Sequence, residues 1–266
     1  MKTFEELKEE LLQRAKEKGA CEKGFKMGLK AQSKQDLLRA ITANWFWVLR
    51  DAKIVDAEYL EENFTEEELT ESGIYTQKCH VAKTTSFACG SATVKAYDSA
   101  TVKAYDSATV KAYGSATVKA YGSATVEAYD SATVKAYDSA TVEAYGSATV
   151  KAYGSATVEA YDSATVKAYD SATVEAYGSA TVKAYGSATV EAYDSATVEA
   201  YGSATVEAYG SATVEAYDSA TVKAYDNSYV EDCIGNIRPK SDYSIVKDYY
   251  NHKIYIKKGK FEIIEV

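Results

Sequence analysis

Apolar and polar positions alternate along this chain with two different periods, and the change of period divides it. Between residues 91 and 226 the pattern Ser-Ala-Thr-Val-Lys/Glu-Ala-Tyr-Asp/Gly recurs seventeen times. Ala, Val and Ala take alternate positions, with Thr, Lys/Glu and Tyr between them. A period of two puts the first set on one face of a strand and the second on the other. Each octad therefore predicts a short strand with a small apolar face. Asp/Gly-Ser predicts the corner, because Gly accepts left-handed backbone and Asp tolerates it while bonding nearby backbone. A helix is a poor alternative, since an eight-residue period drifts around it and leaves no continuous stripe. Strict alternation of β-formers also argues against disorder.

An open meander of seventeen strands would leave the Ala/Val face bare, and sheets of that size are rare. A coil that returns over itself covers the face. Eight residues are too few for a coil with an interior; sixteen give two strands and two corners; twenty-four give a triangle. At a spacing of sixteen no Asp falls on an Asp, as in Asp98, Gly114, Asp130, Gly146. At twenty-four, Asp106 falls on Asp130 and Asp138 on Asp162. Carboxylates stacked at the strand spacing of about 4.8 Å repel one another. The pattern thus predicts a mainly β chain built on a two-sided parallel β-solenoid of 16-residue coils. Residues 123–154 and 155–186 are identical, so part of this regularity is one arrangement copied.

The flanks read differently. Thr3 with Glu6 forms a capping box ahead of Phe4, Leu7, Leu11 and Ala15, which share a helical face. A second helix is predicted from residue 22 to 29. Ser33 caps a third, from 34 to about 50, with Leu37, Ile41, Trp45 and Val48 as its stripe. Asp56 and the Thr65–Glu68 capping box start further short helices, and Gly73 stops the last. Residues 1–74 are therefore expected to form a small α-helical domain, with Trp45 at its centre and Trp47 at its edge. Residues 75–90 read as a transition coil in which 83–90 is a degenerate octad with Cys89 in the Tyr column. Residues 227–266 read as a β-rich cap. There 227–234 is a decayed octad with Cys233 in the Tyr column, and Pro239 is expected to stop the ladder. Strands follow at 243–246, 253–257 and 260–266 around a turn at Lys258 and Gly259, with Ile254, Ile256, Phe261 and Ile263 apolar at strand spacing.

Charge adds a second pattern. The formal charge is −9, and such an acidic chain does not suit binding to a nucleic-acid backbone. At a spacing of sixteen, one face carries Lys95, Lys111, Glu127, Glu143, Glu159, Glu175, Glu191, Glu207 and Lys223. The other carries Lys103, Lys119, Lys135, Lys151, Lys167, Lys183, Glu199 and Glu215. One ladder is mostly acidic and the other mostly basic, which points to lateral, charge-complementary self-association or a protein partner. The candidate interaction residues are Tyr105, Tyr121, Tyr137, Tyr153 and Tyr169, with Lys135, Lys151 and Lys167 on the basic side and Glu143, Glu159 and Glu175 on the acidic side.

Candidate chemistry is sparse. Hydrolytic catalysis needs a converging nucleophile and base, and the chain has only two His, His80 and His252. Cys79, His80 and Cys89 make at most a partial metal set, short of the four ligands of a structural zinc site. No enzyme, cofactor or metal is expected. The first ten residues lack the apolar run of a secretion signal, and no stretch approaches the roughly 20 apolar residues of a membrane span, so a cytoplasmic protein without membrane attachment is expected.

Lys-Gly-Ala-Cys21 followed by Asn-Trp45-Phe-Trp47-Val-Leu49 resembles a small helical module at the start of uncharacterised bacterial and phage-encoded proteins, some with Ser/Ala-Thr-Val octapeptide arrays. That resemblance implies no known activity. The run Tyr-Gly-Ser-Ala-Thr resembles the Tyr-Gly-Ser-Thr corner of the bacterial ice-nucleation 16-residue repeat, which implies ice binding or nucleation as the alternative to a structural or interaction rod. Ice-binding faces, however, resemble flat paired Thr arrays, and here each strand offers one Thr beside a charge. A further alternative is an acidic rod that mimics DNA, similar to some pentapeptide-repeat proteins; the segregated Lys ladder argues against it.

Overall fold

The structure, a computed structural model, describes residues 1–241, 243–258 and 260–265, the stretch from 257 onward by its backbone alone. Five α-helices come first: α1 (Phe4–Glu17), α2 (Glu22–Lys30), α3 (Lys34–Ala43), α4 (Ala57–Asn63) and α5 (Glu66–Glu71). Their starts follow local chemistry. Both expected capping boxes form, Thr3 with Glu6 and Thr65 with Glu68. Ser33 and Asp56 cap α3 and α4. Cys21 caps α2, its Sγ accepting from the Gly24 N–H at 3.4 Å.

The third helix is shorter than the expected 34–50. The Asn44 side chain donates to the Ala40 carbonyl at 2.8 Å, competing with the backbone ladder. After that break the chain widens into a π-helical turn over Trp47–Asp51, closed by the Ala52 N–H donating to the Trp47 carbonyl at 2.8 Å. The break turns Trp45 inward, where it is almost wholly buried, while Trp47 lies at the edge.

The rod begins immediately after α5. Its first strands are β1 (Ile74–Tyr75), β2 (Cys79–Ala82) and β3 (Thr85–Ala88). Each octad then supplies one strand at Thr-Val-Lys/Glu-Ala, from β4 (Thr93–Ala96) to β20 (Thr221–Ala224). Up to β21, odd and even strands separate into two parallel stacks, which belong to one sheet of 14 strands and one of 10. Within the array Thr pairs with Thr, Val with Val and Ala with Ala at a spacing of sixteen, as in Thr141↔Thr157 and Thr149↔Thr165. The result is a parallel β-solenoid of about 11 coils. Ala and Val of both sheets meet in a dry filament; Ala124, Val126 and Ala128, for example, are fully buried. Burying one Val stabilises by roughly 1.5–3 kcal/mol, so each coil adds a modest, nearly equal increment.

Both ends depart from the repeat. In the first coil Cys79 pairs with Thr93, where a full spacing would bring Gln77. At the other end β21 (Tyr229–Asp232) continues the register, and so does β22 (Ile245–Asp248). Contrary to the expectation from the sequence, Pro239 does not stop the whole ladder. It closes only the 10-stranded sheet, through a bridge to Ala224, while the other sheet runs on. That sheet then turns antiparallel into β23 (Lys253–Lys258) and β24 (Lys260–Glu265). Gly259 of the expected turn and the Phe261 and Ile263 side chains lie outside the described residues. In β23 it is Tyr255 that is buried against the rod core, while Ile254 and Ile256 are partly exposed.

The last coils also put carboxylates in inward columns. Asp232 lies on Ala216 and Asp248 on Asp232. Asp232 is fully buried and accepts from the backbone N–H groups of Ile234, Gly235 and Ile237, each at 2.8 Å. A buried carboxylate is tolerated when its lone pairs are filled this way, and here it organises the loop that closes the rod.

Candidate interaction surface

The outward columns become continuous ladders because every strand has the same register. Thr, Lys/Glu and Tyr each recur once per coil on each sheet. The Tyr rings stack along both sheets at centroid distances of 4.8–5.1 Å with interplanar angles of 6–15°. The sheet spacing imposes that distance, and offset stacking is the arrangement aromatic rings accept at it.

The hydroxyl end of each Tyr depends on the residue two positions before it. Where that residue is Glu, the phenol donates to its carboxylate: Tyr129 to Glu127 at 2.7 Å, Tyr145 to Glu143 at 2.7 Å, Tyr161 to Glu159 at 2.5 Å and Tyr177 to Glu175 at 2.5 Å. These bonds, with burial second, push the Tyr145, Tyr161 and Tyr193 phenols up to about 12.

The charge ladders are divided between the sheets. On the 14-stranded sheet Lys119, Lys135, Lys151, Lys167 and Lys183 stack in succession. On the 10-stranded sheet Glu127, Glu143, Glu159, Glu175, Glu191 and Glu207 do the same. At the places where sign changes, neighbouring coils form ion pairs: Lys111–Glu127 at 2.8 Å, Lys183–Glu199 at 2.8 Å and Lys223–Glu207 at 2.7 Å. The Lys111 ammonium holds the Glu127 carboxyl below its ordinary range, with the Tyr129 hydroxyl next in effect.

The corners contain a link that the sequence reading missed. Asp occupies left-handed backbone, φ 57° at Asp130 and 58° at Asp162. Its carboxylate does not bond its own corner. It reaches back one coil and accepts from a Gly N–H: Gly114 to Asp130 at 2.9 Å, Gly146 to Asp162 at 3.0 Å and Gly178 to Asp194 at 3.0 Å. Asp/Gly alternation therefore both separates carboxylates and ties adjacent coils. The alternation itself carries the signal, since each bonded Asp follows a Gly by sixteen residues.

The candidate Tyr residues do not share one environment. Tyr105 is 4% exposed and sits in the helical core, 6.0 Å from Trp45. Tyr121 meets Phe46 at 5.3 Å, and Arg50 pairs with Asp138 at 2.8 Å. Trp45 also contacts Phe87 at 5.0 Å. The first two rungs of this Tyr ladder thus hold the helical domain to the rod. Tyr137, Tyr153 and Tyr169 continue the same stack on the sheet that carries Lys135, Lys151 and Lys167. Glu143, Glu159 and Glu175 lie on the opposite sheet.

Other chemistry is dispersed. His80 Nε2 lies 2.8 Å from the Gln77 carbonyl and its ring stacks on Tyr75 at 4.3 Å. Cys89 is buried in the helical core, where burial pushes its thiol up, whereas Cys79 is exposed. Among the described residues no group of three or more His, Cys, Asp or Glu is arranged to hold a metal, and no helix is long and apolar enough to cross a membrane. A cavity of about 350 Å³ lies between α1, α2 and α3, lined mainly by apolar side chains such as Leu11, Phe25, Ile41 and Trp47. No known protein family, curated protein or solved structure matches this chain.

Proposed function

We propose that this protein is a non-enzymatic structural rod that works by presenting side-chain ladders to other protein surfaces, second copies of itself included. The observation that carries the reading is the unbroken stacking of outward columns, divided by charge sign between two opposite sheets. A scaffold alone needs only the Ala/Val interior; sorted ladders supply surfaces of opposite sign on one rigid body. Complementary potentials favour encounter and register more than raw affinity. Lateral association of acidic on basic faces is therefore expected to be weak and salt-sensitive. The helical domain, fixed over Tyr105 and Tyr121, acts in this reading as the tether to a further partner.

Sedimentation velocity over a concentration series tests it. The Debye length is about 30 Å at 0.01 M salt and about 3 Å at 1 M. Larger species in the first condition and monomer in the second are the expected result; monomer in both overturns the reading. Ice binding is not proposed, because each sheet sets a single Thr row directly beside a charged row.

A further inference from the structure

The two charge ladders fit each other, and the fit has a direction. Read upward from Lys103, the 14-stranded sheet carries Lys at 103, 119, 135, 151, 167 and 183, then Glu at 199 and 215. Read downward from Glu207, the 10-stranded sheet carries Glu at 207, 191, 175, 159, 143 and 127, then Lys at 111 and 95. Laid antiparallel, the two sequences are opposite in sign at every one of these rungs.

We propose that a second copy of this chain docks antiparallel, its glutamate ladder on the lysine ladder of the first, in the register that sets Lys119 against Glu191 and Lys151 against Glu159. The proposal rests on the rod reading above and adds the partner, its direction and its register.

Three observations support it. Both ladders are ruled by the same strand spacing, about 4.8 Å, so a register set at one rung holds along the face. The in-chain ion pairs, Lys111–Glu127, Lys183–Glu199 and Lys223–Glu207, leave Lys119, Lys135, Lys151 and Lys167 without an acidic partner among the described residues. They likewise leave Glu143, Glu159, Glu175 and Glu191 without a basic one. The antiparallel register brings these two sets together, Lys119 on Glu191, Lys135 on Glu175, Lys151 on Glu159 and Lys167 on Glu143. Beyond them the pair Lys183–Glu199 falls opposite Glu127–Lys111, so each paired charge gains a second counter-charge.

The competing arrangements are poorer. A parallel pair must slide by 24 residues, one and a half coils, to oppose the six-residue runs; only Glu199 on Lys223 then adds to them, and that length stays uncovered at each end. Basic face on basic face stacks Lys on Lys through the middle. Because the two ladders lie on opposite sides of the rod, a copy that accepts a neighbour on one face still offers the other. A heterologous contact of this kind does not close, and it produces an open ribbon of alternating rods.

The test uses the full-length chain with Cys21, Cys79 and Cys233 changed to Ser. Lys119→Cys is combined with Glu191→Cys in one variant and with Glu143→Cys in another. The two Glu positions lie three rungs apart, about 14 Å at the sheet spacing. In either variant the two new thiols lie on opposite faces of one chain, so a short bismaleimide links them only between copies. Covalent oligomers at low salt from the 119/191 variant, and little from the 119/143 variant, are the expected result. The reverse preference indicates parallel docking and overturns the proposed direction while leaving lateral association standing. Uncrosslinked monomer from both, with monomer in sedimentation of the parent chain at low salt, overturns the rod-pairing reading itself. Unchanged circular dichroism confirms that each variant is folded.

Discussion

The helical domain and the solenoid bury apolar side chains to the same end by opposite means. In the helical domain each large residue has its own neighbours: Trp45 packs on Phe87 and Tyr105, and Leu7, Leu38, Leu60 and Phe64 are buried once each around it. In the solenoid the same Ala and Val recur, and each coil touches only the coils above and below. The difference teaches where stability resides. A heterogeneous core concentrates it in a few residues, whereas a repeated core spreads it along a line.

The largest expected effect breaks the concentrated side. Trp45→Ala removes the side chain that joins the helices to Phe87 and Tyr105, and an aromatic-to-Ala change in a core costs about 3–5 kcal/mol. The helical signal is expected to melt well below the β signal in a thermal scan, giving two steps. In the solenoid, Val158→Ala removes two buried methyl groups, at about 0.8 kcal/mol each plus a cavity contribution. It is expected to lower the midpoint of the β transition slightly and leave the helices alone. Equal losses from the two substitutions would show that the rod is not the distributed structure described here.

A smaller effect separates the two kinds of link between coils. Asp162→Ala removes the acceptor for the Gly146 N–H and leaves a side chain without polar atoms in left-handed backbone. The lost bond and the unfavourable conformation together are expected to cost about 1–2 kcal/mol. Asp162→Asn keeps both an acceptor and a residue tolerant of that conformation, so it should retain most of the stability in a denaturant titration. If Asn were as costly as Ala, the hydrogen bond between coils would not be the reason for Asp at this corner.

How much of this was legible in the sequence follows the same division. A strict period of two, carried by small residues, leaves little choice of face, so the strands, the sixteen-residue register and the two charge ladders could be read directly. The Asp/Gly alternation excluded the triangular coil, yet its second role, a carboxylate reaching the previous coil, needed the corner geometry. Helix starts were also legible, because Thr3, Ser33, Asp56 and Thr65 act locally. The break at Asn44 was not: it depends on a side chain capturing the Ala40 carbonyl inside an otherwise continuous apolar stripe. The docking of the helices on Tyr105 and Tyr121 was hidden for a different reason. Those residues are identical to every other Tyr of the array, and only their position beside Phe46 and Trp45 distinguishes them. The continuation past Pro239 escaped because Ile245–Asp248 keeps the Val column but replaces its Ala with Asp248, whose carboxylate accepts from the Asn251 backbone N–H in the turn that follows at 2.8 Å.

The last comparison concerns two tyrosines displaced in the same direction by different causes. Tyr59 in the helical domain is pushed up to about 12 chiefly by burial, with the Glu10 carboxylate second. Tyr161 in the solenoid is pushed up to about 12 chiefly by its hydrogen bond to Glu159, with burial second. A phenol whose folded pKa is raised keeps its proton while the unfolded chain loses it. Its contribution to stability is therefore complete below the ordinary value of about 10 and is lost as pH rises towards about 12. Changing Glu143, Glu159 and Glu191 together to Gln removes the carboxylates that Tyr145, Tyr161 and Tyr193 bond. Three phenols are then expected to ionise nearer the ordinary value, seen as phenolate absorbance gained earlier in an alkaline titration. Glu10→Gln is expected to move Tyr59 much less, since burial remains. If both changes shift the titration equally per tyrosine, hydrogen bonding and burial act alike in the two regions, and the contrast between an outward ladder and an inward core fails at the level of single hydroxyl groups.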